Sequence, residues 1–262
     1  TPKKCSWREL GRINDIDALR YSANVYQFFT AINVGGGVYK YDQPLNINTK
    51  AFEIYRNTFA EFGLGVKTGI DLPMESLGYK GTSTLAGHLL DFAIGQYDTY
   101  TPIQLNQYIM TIANGGNRIQ PRLLKAIYSP TEEGLSHLLY ETKAVILNTI
   151  NTQKEYLDRV KEGFKAVMTS GGTGYGYIDL RFKPAGKTGT SQSYIDTDLD
   201  GKVDKMTLTN TFVAYAPYDN PKVAFTVISP DISHYDGRTS YQSTVNKRIS
   251  SRISQLYFEM YN

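Results

Sequence analysis

The sequence predicts an α+β fold in which a mainly antiparallel sheet is flanked by helices. Three observations carry that expectation. Apolar residues recur at helical spacing through much of the chain, a hairpin pattern rich in β-branched and aromatic residues lies between Phe182 and Ser229, and an amphipathic segment closes the chain. Helices first, then a meander, then a terminal helix is the order of an α+β domain.

Taken in order, periodicity alone runs one helix from Asp15 to Ile32, and Gly35-Gly36-Gly37 reads as its stop. Around Thr49–Phe62, Phe52, Tyr55, Phe59 and Phe62 recur at three- and four-residue steps before Gly63. Thr101-Pro102-Ile103-Gln104 is a capping box with proline at the first helical position, and that helix ends before Gly115-Gly116. Thr152-x-x-Glu155 repeats the device, with Leu157, Val160, Phe164 and Val167 as the buried stripe. Thr211–Ala216 and Val223–Ile228 flank the turn Pro217-Tyr218-Asp219-Asn220-Pro221 and read as a hairpin. The last segment places Val245, Ile249, Ile253, Leu256 and Met260 on one expected buried face.

Composition excludes several classes. The chain has 262 residues without repeat, low-complexity segment or long linker, and reads as one domain or a large part of one. With 21 Tyr, 11 Phe and one Trp needing burial, disorder is excluded. The longest apolar stretches, Phe212–Ala216 and Val223–Ser229, fall far short of the roughly 20 residues that cross a bilayer. No signal-peptide pattern opens at Thr1, so the expectation is that any targeting segment lies outside these residues or never existed. A net charge of +3 without a dense Lys/Arg patch argues against nucleic acid as a partner. The single cysteine, Cys5, rules out an internal disulfide and a cysteine-rich zinc site.

Two short polar segments carry the chemistry. In Lys187-Thr188-Gly189-Thr190 a lysine supplies fixed positive charge and the threonines supply hydroxyls. Gly189 removes the side chain that would hold off a substrate backbone. Pro184-Ala185-Gly186 just before it suits the start of an edge strand. Alone, the segment reads equally as a solvated edge strand whose lysine discourages aggregation. The second segment is Ser22-Ala23-Asn24. Residues two apart on a helix do not face the same way, so these two serve one site only if the backbone leaves helical geometry there. Without that break they are two polar residues on a wet helical face.

Together these motifs resemble the active-site signature of penicillin-binding proteins and serine β-lactamases, which combines Ser-x-x-Lys, Ser-x-Asn and Lys-Thr-Gly. The run Asp17–Tyr26 is similar to the second-motif segment of class B penicillin-binding proteins. So, in the family's order, are Phe62–Gly65, Thr68–Pro73 with Glu75, Ile94-Gly95-Gln96, Thr101–Leu105, Ala113–Gly116 and Phe212–Pro217. The resemblance implies a penicillin-binding-protein/serine β-lactamase-like transpeptidase fold and acyl transfer on peptidoglycan stem peptides, with β-lactam antibiotics as acylating inhibitors. It implies that Ser22 relays a proton to the leaving amine, Lys187 tunes that step, and Asn24 holds the substrate amide. Thr188 and Thr190 would bind the terminal carboxylate, Gly189 would leave room for the substrate, and the Thr190 N–H would complete an oxyanion hole.

No Ser-x-x-Lys occurs in these residues. The expectation is that residues 1–262 form the C-terminal portion of a single transpeptidase domain. Anchor, pedestal domain and nucleophile segment are then expected upstream of residue 1, in the same protein or as a separate chain. The alternatives are a catalytically inactive structural or binding relative and, within the fold, a β-lactamase or β-lactam sensor. The family also implies a single-pass membrane anchor, a catalytic domain on the extracytoplasmic side, and a cell-wall glycosyltransferase partner. No cofactor is required.

Asp196-Thr197-Asp198-Leu199-Asp200-Gly201 has the opening of a calcium loop, with Asp196, Asp198 and Asp200 at alternate positions. Thr207 stands where an EF-hand places glutamate, Asp204 is a substitute ligand, and a plain Asp-Gly hairpin tip is the other reading. Gly171-Gly172-Thr173-Gly174-Tyr175-Gly176 lacks the Gly-Lys-Ser/Thr ending of a phosphate loop and follows a helix, so it reads as a flexible turn beside the active-site mouth. His88, His137 and His234 form no spaced ligand set.

Overall fold

The computed structural model describes residues 4–132, 134–234 and 244–261. Seven helices and seven strands follow one another among them as α1 (Asp15–Arg20), α2 (Asn24–Val34), α3 (Ala51–Glu61), α4 (Ala86–Ala93), α5 (Pro102–Ala113), β1 (Asn117–Ile119), β2 (Ala126–Thr131), β3 (Gly134–Glu141), β4 (Ile146–Thr149), α6 (Lys154–Val167), β5 (Ala185–Ile195), β6 (Lys205–Ala216), β7 (Val223–His234) and α7 (Val245–Tyr261).

The central sheet has the order β5-β6-β7, antiparallel throughout, with β5 at one edge. Its middle strand is apolar in succession from Phe212 to Ala216 because both faces are covered. Val213 and Tyr215 join Ala185 in packing against Ile109 and Ile112 of α5 and Leu157 and Phe164 of α6. Phe212 and Ala214 face the other way, into a core with Val167, Met168, Ile178, Phe225, Val227 and Ile253 of α7. A separate helical core gathers Phe28, Ala31 and Ile32 of α2, Ala51 and Phe52 of α3, and Leu89, Leu90 and Phe92 of α4.

The expected α+β class and the Thr211–Ala216/Val223–Ile228 hairpin are present, and the capping box at Thr101 and Gln104 forms as read. Four expectations are corrected. The single helix Asp15–Ile32 is two helices broken at Tyr21–Ala23. The Thr152 capping box does not form, since α6 starts at Lys154 with Gln153 as its cap and no side-chain cap bond. Strands are not confined to the region after Phe182, because β1 pairs with β4 and β2 with β3 in two further ladders. The terminal helix buries a different face. Asn246, Ser250, Ser254 and Phe258 lie against the sheet while Ile249, Leu256 and Met260 are exposed. Small serines let the helix approach closely, and the buried Asn246 amide is satisfied by strand backbone, donating to Asn210 O at 3.0 Å and Val227 O at 3.3 Å. The pairing of Asn246 with strand carbonyls overrides hydrophobic patterning there.

Candidate active site

The site begins with the way α1 ends. The Ser22 N–H donates to Leu19 O at 3.2 Å and the Ala23 N–H to Ala18 O at 2.9 Å, the paired bonds of a Schellman stop. Such a stop needs one residue in the left-handed region, commonly glycine, and here it is Ser22 at φ +53°. A side-chain-bearing residue held there stores of order 1 kcal/mol or more of backbone strain, a cost that collects at functional positions. The gain is direction: the turn ends one helix and starts the next, so Ser22 and Asn24 leave the alternation of a continuous helix.

Ser22 Oγ meets Lys187 of β5. The Lys187 ammonium donates to Ser22 Oγ at 2.9 Å and to its neighbour's carbonyl, Thr188 O, at 2.6 Å. Burial pushes the Lys187 pKa down from 10.5 to about 8. Taking the cation out of water disfavours its charged form. At neutral pH the group is still mainly protonated, close to the point at which it exchanges its proton. Asn24 opens α2 beside this pair, half-buried, and its carboxamide has no protein hydrogen-bond partner among the described residues. It is free to bind a ligand amide.

The two faces of β5 are used as strand alternation requires. Lys187 turns toward the Ser22 turn, while the Thr188 hydroxyl donates to Thr173 Oγ1 at 2.9 Å. The Thr190 hydroxyl reaches across the ladder to Asn210 Oδ1 at 3.2 Å. Thr188 and Thr190 therefore already have protein partners, and Thr190 remains exposed at the strand edge. A Cβ placed on Gly189 would meet Thr211 Cβ at 3.6 Å, an ordinary contact, so nothing in the chain itself requires glycine there. Gly186 is different, because a Cβ would lie 2.6 Å from Val213 O.

The glycine-rich turn after α6 sits at this mouth. Thr173 N–H donates to Arg20 O at 3.2 Å, and Arg20 Nη2 donates to Ser170 O at 2.5 Å, tying the turn to the Ser22 stop. Gly172 is packed so closely on α6 that a Cβ would lie 2.2 Å from Val167 O. The segment is thus a fitted clamp where the sequence suggested a flexible turn. On the far side of β5, the Gln96 carboxamide pairs with the Gln192 backbone, donating to its carbonyl at 3.1 Å and accepting from its N–H at 3.0 Å. Between β5 and the helices lies a cavity of about 1120 Å³, with Phe59, Phe92, Leu105, Tyr108 and Leu157 among its walls and Gly189–Tyr194 along one side.

Ser22 and Lys187 are therefore in direct contact, with Asn24, Thr188, Gly189 and Thr190 on the same turn and strand. Sequence reasoning missed three contributors. Arg20 and Gln96 lie inside family-like phrases that assigned them no role, and Thr173 lies in a turn read as flexible and beside the active-site mouth, with no role for the threonine itself. In the loop between β5 and β6, Asp196, Asp198 and Asp204 have carboxylate oxygens within 4.8 Å of one another. Asp200 instead pairs with Lys202 at 2.8 Å, so the grouping differs from the expected Asp196, Asp198 and Asp200. Gly201 N–H donates to Asp196 at 2.8 Å and Thr197 N–H to Asp204 at 2.7 Å, so the turn closes on its own backbone donors. His88 stacks on Tyr97 and His137 is exposed on β3, while the side chain of His234 lies outside the described residues.

Comparison with known proteins agrees with this geometry. The chain belongs to the penicillin-binding protein transpeptidase family: the family described as "Penicillin binding protein transpeptidase domain" matches residues 6–255. It is 45% identical over 258 residues to penicillin-binding protein 2A of Bacillus subtilis, covering 98% of this chain and 36% of that protein. It is 29% identical over 244 residues to the peptidoglycan D,D-transpeptidase MrdA of Haemophilus influenzae, covering 85% of this chain and 34% of that protein. The solved structure of penicillin-binding protein 2B from Streptococcus pneumoniae R6 superposes with a TM-score of 0.81 at 34% identity, covering 95% of this chain and 39% of that one. The chain thus spans little more than a third of the length of these relatives.

Proposed function

We propose that this region is the C-terminal part of the acyl-transfer domain of a peptidoglycan D,D-transpeptidase, which cross-links stem peptides and is acylated by β-lactams. The observation that carries the reading is the 2.9 Å bond between Lys187 Nζ and Ser22 Oγ, joining residues 165 positions apart at a strained turn. A hydroxyl on a half-buried lysine is a proton relay, and it is placed beside the free carboxamide of Asn24 and the exposed edge of β5. The MrdA relative bears the name of this activity.

In this reading the nucleophilic serine comes from a segment upstream of residue 1. The open cavity beside β5, about 1120 Å³ with aromatic and aliphatic walls, is a suitable seat for it. The serine oxygen attacks the penultimate D-Ala carbonyl, the bond to the terminal D-Ala breaks, and Ser22 Oγ hands a proton to the departing amine with Lys187 behind it. Asn24 holds the donor amide, and the carboxylate lies near Lys187, Thr188 and Thr190. The Thr190 N–H faces the developing oxyanion. An amine of a second strand then takes the acyl group. Among the described residues no helix is long and apolar enough to cross a membrane, so the anchor of this reading belongs to the upstream part. The glycosyltransferase partner belongs to the same proposal.

Fluorescent penicillin tests it. The full-length protein is expected to carry a stable covalent label and the polypeptide 1–262 none. A labelled serine within 1–262 overturns the upstream nucleophile. Absence of label on the full-length protein overturns acyl transfer, and rapid penicillin hydrolysis indicates a β-lactamase.

A further inference from the structure

The outer edge of β5 is open at Thr190 and closed at Gln192, and what closes it there is a side chain. Gln192 gives both its N–H and its C=O to the Gln96 carboxamide, at 3.0 and 3.1 Å. Its backbone groups therefore point away from β6. The β5–β6 register runs without a shift from Ala185↔Tyr215 to Ile195↔Lys205, so alternation directs the N–H and C=O of Thr188 and Thr190 outward as well. Lys187 Nζ occupies the Thr188 carbonyl at 2.6 Å. Thr190 is thus an open rung bounded by Lys187 on one side and Gln96 on the other, with Tyr194 lying beyond Gln96.

A primary carboxamide offers one N–H and one C=O side by side, the pair that a neighbouring strand residue would present. Gln96 thus acts as a one-residue strand on β5. It is held for that purpose. Asp98, two residues on and buried, accepts from Arg56 Nε at 2.8 Å and from Gly81 N–H at 2.9 Å, while Arg56 Nη2 donates to Gly81 O at 2.8 Å. Thr99 and Tyr79 exchange backbone bonds of 2.9 and 3.1 Å beside it.

We infer that Gln96 is a positioning and specificity residue that limits an acyl-donor peptide to a single ladder rung, at Thr190. The inference rests on the acyl-transfer reading above. With the donor's terminal carboxylate near Lys187 and Thr188, the donor runs antiparallel to β5, and its N-terminal part advances toward Gln192. There Gln96 already fills the next rung, so the peptide leaves the strand after one residue. Recognition beyond that residue comes from side chains alone.

The test uses the full-length protein and thioester donors ending in the same acyl group, with and without the two further N-terminal residues needed to reach the next outward rung. In the wild-type protein the extension is expected to change acylation kcat/KM by less than about twofold. In Gln96→Ala, where Gln192 N–H and C=O become available, the extension is expected to raise it about fivefold, the worth of roughly one net hydrogen bond. Benzylpenicillin acylation stays within threefold, since that ligand does not reach Gln192. Equal dependence on donor length in both proteins overturns the inference, and so does a uniform loss with every acylating agent, which marks a merely structural residue. A third measurement needs no variant. Replacing the second-rung donor amide by an ester is expected to leave wild-type acylation unchanged, and a tenfold loss overturns the single-rung limit. If the wild-type protein accepts neither thioester nor penicillin, the acyl-transfer reading itself fails.

Discussion

Ser22 combines two demands that pull apart. Its left-handed backbone favours glycine, and its contact with Lys187 requires a hydroxyl. Ser22→Gly is expected to raise folding stability by up to about 1 kcal/mol, through relief of that strain, while slowing penicillin acylation of the full-length protein by about a hundredfold. Ser22→Ala keeps the strain, loses the hydroxyl and slows acylation as much without any stability gain. Chemical denaturation and stopped-flow acylation read the two effects separately, and coincident stability of the two variants would contradict the strain argument. Lys187 shows the same tension in its charge. Its pKa lies at about 8 in the folded chain against 10.5 for the free side chain. Below about pH 8 both folded and unfolded chains hold the proton and the burial cost is fully present. Between about 8 and 10.5 the unfolded chain alone holds it, so stability rises with pH across that window. Lys187→Met is expected to be more stable than the wild-type protein at pH 7, to show no such rise, and to acylate at least tenfold more slowly. Wild-type acylation should decline as pH climbs through about 8, where the charge behind Ser22 is lost.

Within β5, two glycines three residues apart make opposite predictions. Gly186→Ala forces a Cβ to 2.6 Å from Val213 O and is expected to lose about 2 kcal/mol of stability, because backbone cannot yield as a side-chain tip does. Gly189→Ala meets only Thr211 Cβ at 3.6 Å and should fold normally, yet it places a methyl on the Lys187 side of the strand and slows acylation. Thermal melts and acylation rates distinguish the pair. The elements also show why some of the fold was legible and some not. The Thr101 capping box and the β6–β7 hairpin are local devices, written in contiguous residues. The break at Ser22 is visible only as a functional requirement, because the Asp15–Ile32 periodicity continues through it and the turn is fixed by contacts with residues 170–187. The seating of α7 was misjudged because its buried face is polar: Asn246 is satisfied by carbonyls of β6 and β7, and no periodicity in the helix announces partners on other strands. The Gln96–Gln192 pairing was hidden for the same reason.

Across the whole molecule, sheet and helical core are joined around a space that the described residues line and do not fill. On the proposed reading, in which an upstream segment covers the apolar walls beside β5, the polypeptide 1–262 is expected to bind a dye specific for exposed apolar surface and the full-length protein much less. Equal dye binding by both would mean that the segment seats elsewhere. The clamp of Arg56, Asp98 and Gly81 backs one wall of that space at Asp98. Arg56→Met leaves the Asp98 carboxylate uncompensated and is expected to lose about 3 kcal/mol.

The contact between Lys187 and Ser22 also sets an order of events in synthesis. A nascent chain that has not yet delivered residue 187 lacks the ammonium that faces Ser22, and the clasp from Ser170 and Thr173 arrives only shortly before. The Ser22–Lys187 contact is therefore a property of the finished chain, and on the proposed function copies that end before Lys187 lack the relay.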